Sequence, residues 1–221
     1  MSVITSLMKS LSIPFFSDLS NLPLNEIDLM LKSEAPKHEI DILNWPTLYP
    51  TSPTTTFTLV RDQKQLYIRY QSTAKSLKAT YSEDLSPVWT DSCVELFVQV
   101  LGDARYTNFE FNCIGVCYAA KRISREEFTL LTVSELNKIG RYTSLPQEPF
   151  DEKNGDFEWN LLVAIPFDLL GIDSAHLPTK IRANFYACAN GLQQPYFVSW
   201  SPIETPKPDF HRPEFFGELS F

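Results

Sequence analysis

The sequence predicts an all-β protein, a two-sheet antiparallel β-sandwich of the jelly-roll or immunoglobulin-like kind with short helical turns. The 221 residues contain many short strand-like segments separated by turn residues, and few segments with helical periodicity. They also contain 16 prolines and 7 glycines, which favours loops of fixed geometry over long helices. Because 43% of the residues are hydrophobic, a chain of this length can bury a sizeable core.

The first 36 residues are expected to form an N-terminal extension that packs on the main body. Within it, residues 25–32 predict a short helix, since Ile27, Met30 and Leu31 share one helical face. No internal repeat or low-complexity linker follows in the sequence. Residues 37–221 are therefore expected to form a single domain.

Strand patterns dominate the rest of the chain. Residues 54–60 and 66–70 predict a hairpin, because two strand-like segments flank a polar turn. Residues 146–156 predict a loop, residues 133–136 a helical turn, and residues 166–171 a short helix with Pro in its first turn and Gly after its end. The other predicted strands are residues 38–43, 77–81, 92–101, 106–112, 115–121, 157–165, 180–188 and 196–200.

The charge balance excludes some partners. A net charge of −8 and a pI near 4.9 argue against nucleic acid, since phosphate binding needs a basic face, and against an anionic membrane surface. Residues 1–16 lack the continuous apolar run of a signal peptide, and no segment approaches the roughly 20 apolar residues that span a bilayer. The sequence therefore predicts a cytoplasmic protein and leaves its oligomeric state open.

The four cysteines are expected to be buried free thiols. None forms a C-x-x-C pair, and the three histidines show no metal-ligand spacing to any cysteine. Free cysteine commonly acts as a small core residue. The sequence therefore predicts no metal site and leaves one disulfide open. The cysteines are Cys93, Cys113, Cys117 and Cys188.

Trp89 and Glu95 are the first candidates for a binding site. Trp89 ends a loop that contains Pro87, which favours exposure of the indole ring, although core packing is the alternative. In the strand that follows, Glu95 stands between apolar neighbours. An unpaired buried carboxylate is costly, so Glu95 is expected to be either paired or used.

Glu110 and the C-terminal loop add further polar and aromatic groups. Glu110 alternates with phenylalanines along a predicted strand, so its polar stripe either lines a site or is the solvated face of a sheet. Phe210 and Arg212 lie in a loop before the last strand, where Glu214 or Glu218 offers Arg212 a structural ion pair as the alternative. Aromatic rings beside a few fixed polar groups are suited to holding a sugar, because the rings stack on it and the polar groups bind its hydroxyls.

Several motifs in order resemble family 9 carbohydrate-binding modules over residues 37–221. They are the loop tryptophan followed by Asp-Ser-x-Val-Glu-Leu-Phe, a later Phe-x-Phe-Asn strand, and the closing Phe-Gly-x-Leu. Residues 183–186 (Ala-Asn-Phe-Tyr) and 199–201 (Ser-Trp-Ser) also match. The fuller motifs at residues 106–112 and 211–217 are most similar to the branch found as stand-alone proteins in gut-type Bacteroidetes.

The resemblance implies a β-sandwich that holds a terminal sugar between two aromatic rings. Trp89 falls at the position of the first ring, and Phe210 at that of the second, where better-studied members carry tryptophan. Glu95 matches the glutamate that hydrogen-bonds sugar hydroxyls. Glu110 stands where those members have a basic residue, and Tyr186 where they have an amide, so the sugar specificity is left open.

The leading hypothesis is therefore non-catalytic binding of a mono- or oligosaccharide. Trp89 and Phe210 would be the stacking rings. No cofactor is expected; some family members hold a structural calcium, to which the sequence assigns no ligands. The predicted polar contacts are Glu95, Glu110, Tyr186 and Arg212.

Three other functions stay open. A glycoside-processing enzyme would use Glu95 and Glu110 as its two carboxylates. A haem-binding domain would need axial His or Met ligands, and the three methionines all lie within the first 30 residues. A protein-interaction scaffold with a decayed sugar site would fit the missing signal peptide, because polysaccharides are usually captured outside the cytoplasm.

Overall fold

The structure is a computed structural model that describes residues 8–221. Thirteen strands are found among these residues, and they form two sheets. The strands are β1 (Ser10–Ser12), β2 (Lys37–Ile40), β3 (Thr54–Arg61), β4 (Gln65–Ala79), β5 (Cys93–Val100), β6 (Tyr106–Asn112), β7 (Cys117–Arg122), β8 (Phe128–Leu130), β9 (Gly140–Thr143), β10 (Phe150–Pro166), β11 (Lys180–Cys188), β12 (Phe197–Ser199) and β13 (Gly217–Ser220).

The larger sheet has the order β1-β13-β11-β5-β6-β7-β8, and β12 also pairs with β11. Adjacent strands in this sheet are antiparallel, except for β1 and β13, which are parallel to each other. The smaller sheet has the order β2-β3-β4-β10-β9 and is antiparallel throughout. The predicted all-β, two-sheet sandwich is confirmed.

The alternation of side chains along each strand builds the core between the sheets. Val94 and Leu96 on β5 and Phe109 on β6 are fully buried on the face that meets the smaller sheet. Phe185 on β11 stacks on Phe57 of β3, with ring centroids 3.8 Å apart, and so joins the two layers directly. The intervening residues of β5, β6 and β11 therefore point to the opposite, outer face of the larger sheet.

Helices are short, and two local predictions are wrong. The predicted helix at residues 166–171 is a series of hydrogen-bonded turns after the end of β10. The predicted loop at residues 146–156 is partly strand, because β10 begins at Phe150 and two register shifts against β4 absorb its irregular residues. The helices are α1 (Leu24–Glu34), α2 (Val133–Leu136) and the 3-10 helices Leu19–Asn21, Val88–Thr90 and Pro213–Phe215.

Residues 8–36 add a strand and a helix to the two sheets. Strand β1 extends the larger sheet through β13. Helix α1 buries Ile27 and Leu31 in a cluster with Val60, Tyr67 and Leu162 of the smaller sheet. The first seven residues of the predicted extension lie outside the described residues. Between residues 8 and 221, no helix combines the length and apolar character that crossing a membrane requires.

Candidate functional site

A pocket of about 290 Å³ lies on the outer face of the larger sheet. Four of the six predicted site residues line it, namely Trp89, Glu95, Glu110 and Phe210, whereas Tyr186 and Arg212 do not. The pocket therefore joins residues that are up to 122 positions apart in the sequence. Its other lining residues are Phe97, Tyr118, Arg122, Arg125, Phe128, Cys188, Asn190, Phe197, Pro208, Asp209 and His211.

Strand register places the polar floor of the pocket. Glu95 on β5 lies directly opposite Glu110 on β6, and Glu110 lies opposite Tyr118 on β7. Because directly paired residues point to the same face, all three side chains stand together on the outer face. Glu95 and Glu110 are only 2% and 4% exposed, so this polar stripe is a covered floor and not a solvated sheet face.

Trp89 is held by backbone contacts between two loops. It lies in the 3-10 helix Val88–Thr90, and its carbonyl accepts a hydrogen bond from the Asn190 backbone N–H at 2.9 Å. Next to this contact, the Thr90 carbonyl accepts from the Gly191 N–H at 3.0 Å. Tyr118 packs edge-on against the indole ring, with centroids 5.2 Å apart. These contacts fix the orientation of Trp89, which is only partly buried.

Gly191 is required at this loop contact because the backbones approach closely. A Cβ atom at this position would lie 2.5 Å from the Thr90 carbonyl oxygen. We expect Gly191→Ala to push the Trp89 loop aside and to lower the free energy of unfolding by about 1–3 kcal/mol, as overpacking does. Urea denaturation of the variant and the parent measures this difference, and an unchanged midpoint would contradict it.

Phe210 forms a rigid aromatic wall of the pocket. Its ring lies flat on that of Tyr186, with centroids 4.1 Å apart and planes tilted by 9°. The Tyr186 hydroxyl donates a hydrogen bond to the Phe210 carbonyl at 3.2 Å, and Phe197 packs edge-on against the Phe210 ring. Phe210 is 8% exposed and lines the pocket, whereas Tyr186 is fully buried behind it. Tyr186 therefore supports Phe210 from beneath.

Arg122, and not Arg212, is the buried arginine of the pocket. Arg212 binds Glu214, with 2.8 Å between Nε and Oε1, in the ion pair considered as an alternative for it. Arg122 donates from Nε to Asn108 Oδ1 at 2.6 Å, and Asn108 Nδ2 donates to Glu110 Oε1 at 2.7 Å. This chain of hydrogen bonds fixes the Glu110 side chain from one end of the pocket floor.

Burial shifts the protonation of the groups in the pocket. Burial, together with Cys188 and Glu110 beside it, raises the pKa of Glu95 well above its usual value. Burial also raises the pKa of Glu110 to about 7, although Asn108 and Arg122 act in the opposite direction. Burial lowers the pKa of His211 to about 3, so its imidazole is neutral near pH 7. A neutral Glu95 carboxyl can donate one hydrogen bond as well as accept them.

Because the pKa of Glu110 is raised, replacing Glu110 should increase the free energy of unfolding by an amount that depends on pH. The folded state holds this proton up to about pH 7, whereas the unfolded state releases it near pH 4.5, so the associated stability is lost as pH rises through 7. Glu110→Gln removes the cost of ionising a buried group. We therefore expect the difference in unfolding free energy between Glu110→Gln and the parent to grow, in favour of the variant, by about 1–3 kcal/mol from pH 5 to pH 8.

Urea denaturation at both pH values measures this gain. Glu148→Gln is the matched control, because Glu148 is exposed. This variant should show the same change in unfolding free energy from pH 5 to pH 8 as the parent. A constant offset between Glu110→Gln and the parent at pH 5 and pH 8 would contradict the prediction.

Sequence reasoning did not assign Tyr118, Arg122, Asn190 and Phe197 to the site. One signal could have found Tyr118. The tight turn at Gly115, where the Gly115 N–H binds the Asn112 carbonyl at 2.9 Å, joins two strands that were both predicted. Counting outwards from that turn pairs Tyr118 with Glu110. No local sequence pattern could have assigned the other three residues to the site, because their positions depend on contacts of loops and sheet edges. They are Arg122, Asn190 and Phe197.

The described residues contain one group of three side chains that could hold a metal ion, formed by Cys93, Glu95 and Cys188. Calcium takes oxygen ligands, commonly six to eight of them. Two sulfur atoms and one carboxyl do not match that set. The group therefore does not fit the structural calcium that the family resemblance left open.

Comparisons with known proteins identify the family and the fold of the chain. The family model described as carbohydrate-binding family 9 matches residues 25–221. A crystal structure of a candidate carbohydrate-binding protein from Bacteroides uniformis is similar, with 33% sequence identity, 96% of this chain and 99% of that chain covered, and a TM-score of 0.87. A search of curated protein sequences found no match.

Two structures of a family 9 module from Caldicellulosiruptor kristjanssonii share the fold at 12% identity. The complex with glucose has a TM-score of 0.56, with 96% of this chain and 95% of that chain covered. The complex with cellotriose has a TM-score of 0.58, with 96% and 93% covered. Since the family model spans most of the sequence and a solved relative is one-third identical over nearly its whole length, the chain belongs to carbohydrate-binding family 9.

Proposed function

We propose that this protein binds the end of a carbohydrate in the outer-face pocket, with the sugar ring between Trp89 and Phe210, and that it does so without catalysis. The observation that carries the proposal is the meeting of these two rings, from distant loops, in one pocket above a polar floor. Apolar ring faces and a few convergent polar groups are the usual composition of a small-ligand site.

The floor supplies hydrogen bonds for hydroxyl groups. One oxygen of Glu95 accepts from the Cys188 thiol at 3.0 Å, and one oxygen of Glu110 accepts from Asn108 at 2.7 Å. Among residues 8–221, no side chain or backbone group binds the second oxygen of either carboxyl, so both are free for a ligand. Asn190 lines the same pocket, and its side chain is an amide.

The size of the pocket supports capture of a single terminal ring. Its volume of about 290 Å³ is just below the range of about 300–1,000 Å³ for small-molecule sites. A longer chain would continue into solvent from a ring held here. We therefore propose that monosaccharides and oligosaccharide ends both bind, and that the terminal unit makes most of the contacts.

The placement of the two carboxyls favours binding over hydrolysis. A glycosidase needs its carboxyls to flank the scissile bond, with one reaching the leaving oxygen and the other the sugar carbon or a water. Glu95 and Glu110 instead stand side by side on neighbouring strands beneath the pocket. This arrangement suits two contacts to one side of a sugar.

Calorimetric titration tests the proposal. The full chain is titrated with glucose, other monosaccharides and cellotriose, and the same mixtures are analysed for cleavage products after prolonged incubation. Binding with one site per chain and no cleavage supports the proposal. No binding to any of the sugars would favour the interaction scaffold. Cleavage that disappears in Glu95→Gln would favour the enzyme.

A further inference from the structure

We propose that Cys93, Cys188 and Glu95 form a binding site for a thiophilic divalent cation such as Zn²⁺ at the inner end of the pocket. One ligand atom from each side chain, two sulfurs and one carboxyl oxygen, lies within 4.8 Å of the other two. Thiolate and carboxylate are both common zinc ligands. The site was not apparent from the sequence because the two cysteines are 95 positions apart.

The fold brings these ligands together through strand register. Cys188, at the end of β11, lies directly opposite Cys93, at the start of β5. Glu95 follows Cys93 by two positions on β5, so its side chain shares the outer face. Cys188 Sγ is 3.0 Å from Glu95 Oε1, and these two groups line the pocket. The three ligands therefore sit on two rigid, hydrogen-bonded strands.

The distances fit a tetrahedral ion after a small contraction. With a Zn–S bond of about 2.3 Å, the sulfur atoms of a tetrahedral site lie about 3.8 Å apart. All three ligand atoms lie within 4.8 Å of one another, so a contraction of no more than about 1 Å brings the sulfur atoms to this separation. Because Glu95 and Cys188 line the pocket, a water molecule from the pocket can supply a fourth ligand. Three protein ligands and a water are the set found in catalytic zinc sites, whereas structural zinc sites have four protein ligands.

Binding would be coupled to proton release. Both thiols are buried, and burial raises the pKa of Cys93 to about 12 and that of Cys188 well above its usual value. In the metal-free protein they therefore hold their protons at neutral pH. A bound cation would displace them and would leave two thiolates and one carboxylate facing a double positive charge, so affinity should rise with pH.

Cobalt titration of the full chain is the test. Reduced, metal-free protein is titrated with Co²⁺ under anaerobic conditions, and thiolate-to-cobalt charge-transfer absorption is recorded in the near ultraviolet. We expect this absorption to saturate at one equivalent and to disappear when Zn²⁺ is added. In Cys93→Ser and Cys188→Ser, affinity should fall by more than the roughly 10- to 100-fold that loss of an outer-shell partner causes.

Cys113 and Cys117 provide matched controls, because they too are buried free thiols but belong to no group of metal ligands within the described chain. Cys113→Ser and Cys117→Ser should keep the signal, and circular dichroism confirms that each variant is folded. Absence of the charge-transfer band in the parent protein, or its persistence in folded Cys93→Ser and Cys188→Ser, would overturn the proposal. Neither result depends on whether the pocket binds a sugar.

Discussion

Replacing Trp89 with alanine is expected to lower the affinity for a bound sugar by about 30-fold or more. Trp89 is one of the two proposed stacking rings, and its loop is fixed by the backbone contacts to Asn190 and Gly191. Loss of a central aromatic anchor costs about 2 kcal/mol or more, and about 1.4 kcal/mol corresponds to a tenfold change in affinity. Calorimetric titration of the variant with a sugar that the parent binds measures the loss.

Two variants separate stacking from other effects. Trp89→Phe keeps an aromatic face and should recover part of the affinity. Phe15→Ala removes an aromatic ring that is 50% exposed and lies over Arg61, outside the pocket, so it should leave binding unchanged. Equal affinities for the parent and Trp89→Ala would show that the sugar does not bind against this ring.

Replacing Asp28 with alanine is expected to lower the free energy of unfolding by about 3–5 kcal/mol, the usual cost of breaking a buried ion pair from one side. Asp28 on α1 lies 2.8 Å from Arg69 Nε on β4, and both side chains are less than one-tenth exposed. Asn160 Nδ2 also donates to Asp28 Oδ1 at 2.9 Å. The substitution leaves the Arg69 charge buried without this carboxylate.

An exposed ion pair provides the control for this prediction. Asp168 and Lys138 are 2.9 Å apart, but their side chains are 59% and 50% exposed. Asp168→Ala should therefore change the unfolding free energy by no more than about 1 kcal/mol. If urea denaturation gave Asp28→Ala and Asp168→Ala the same small effect, the buried pair would not be what attaches α1 to the smaller sheet.

The fold was largely predictable because it follows from local alternation. The Glu95 strand alternates between apolar residues and a second set of side chains, which already indicates a sheet with two different faces. The secondary structure of residues 146–156 and 166–171 was harder to predict. Asn154 and Gly155 are typical loop residues, yet Asn154 pairs with Ser76 of β4 and Gly155 lies in the register shift that follows.

The site was predictable only in part, for reasons that lie in tertiary contacts. Trp89, Glu95 and Phe210 could be found because each stands in a recognisable motif. The sequence could not show that Tyr186 supports the pocket instead of lining it, because only the packing shows that Phe210 covers its ring. Arg122 carries no motif of its own, and its position depends on the hydrogen bond to Asn108 across β6 and β7.

A crystal structure of the protein with glucose or cellotriose bound tests the central claim most directly. We expect electron density for a sugar ring in the outer-face pocket, with its two faces against Trp89 and Phe210 and its hydroxyls within hydrogen-bond distance of Glu95 and Glu110. A sugar bound elsewhere on the surface, or a sugar in the pocket that touches neither aromatic ring, would contradict the proposed mode of binding.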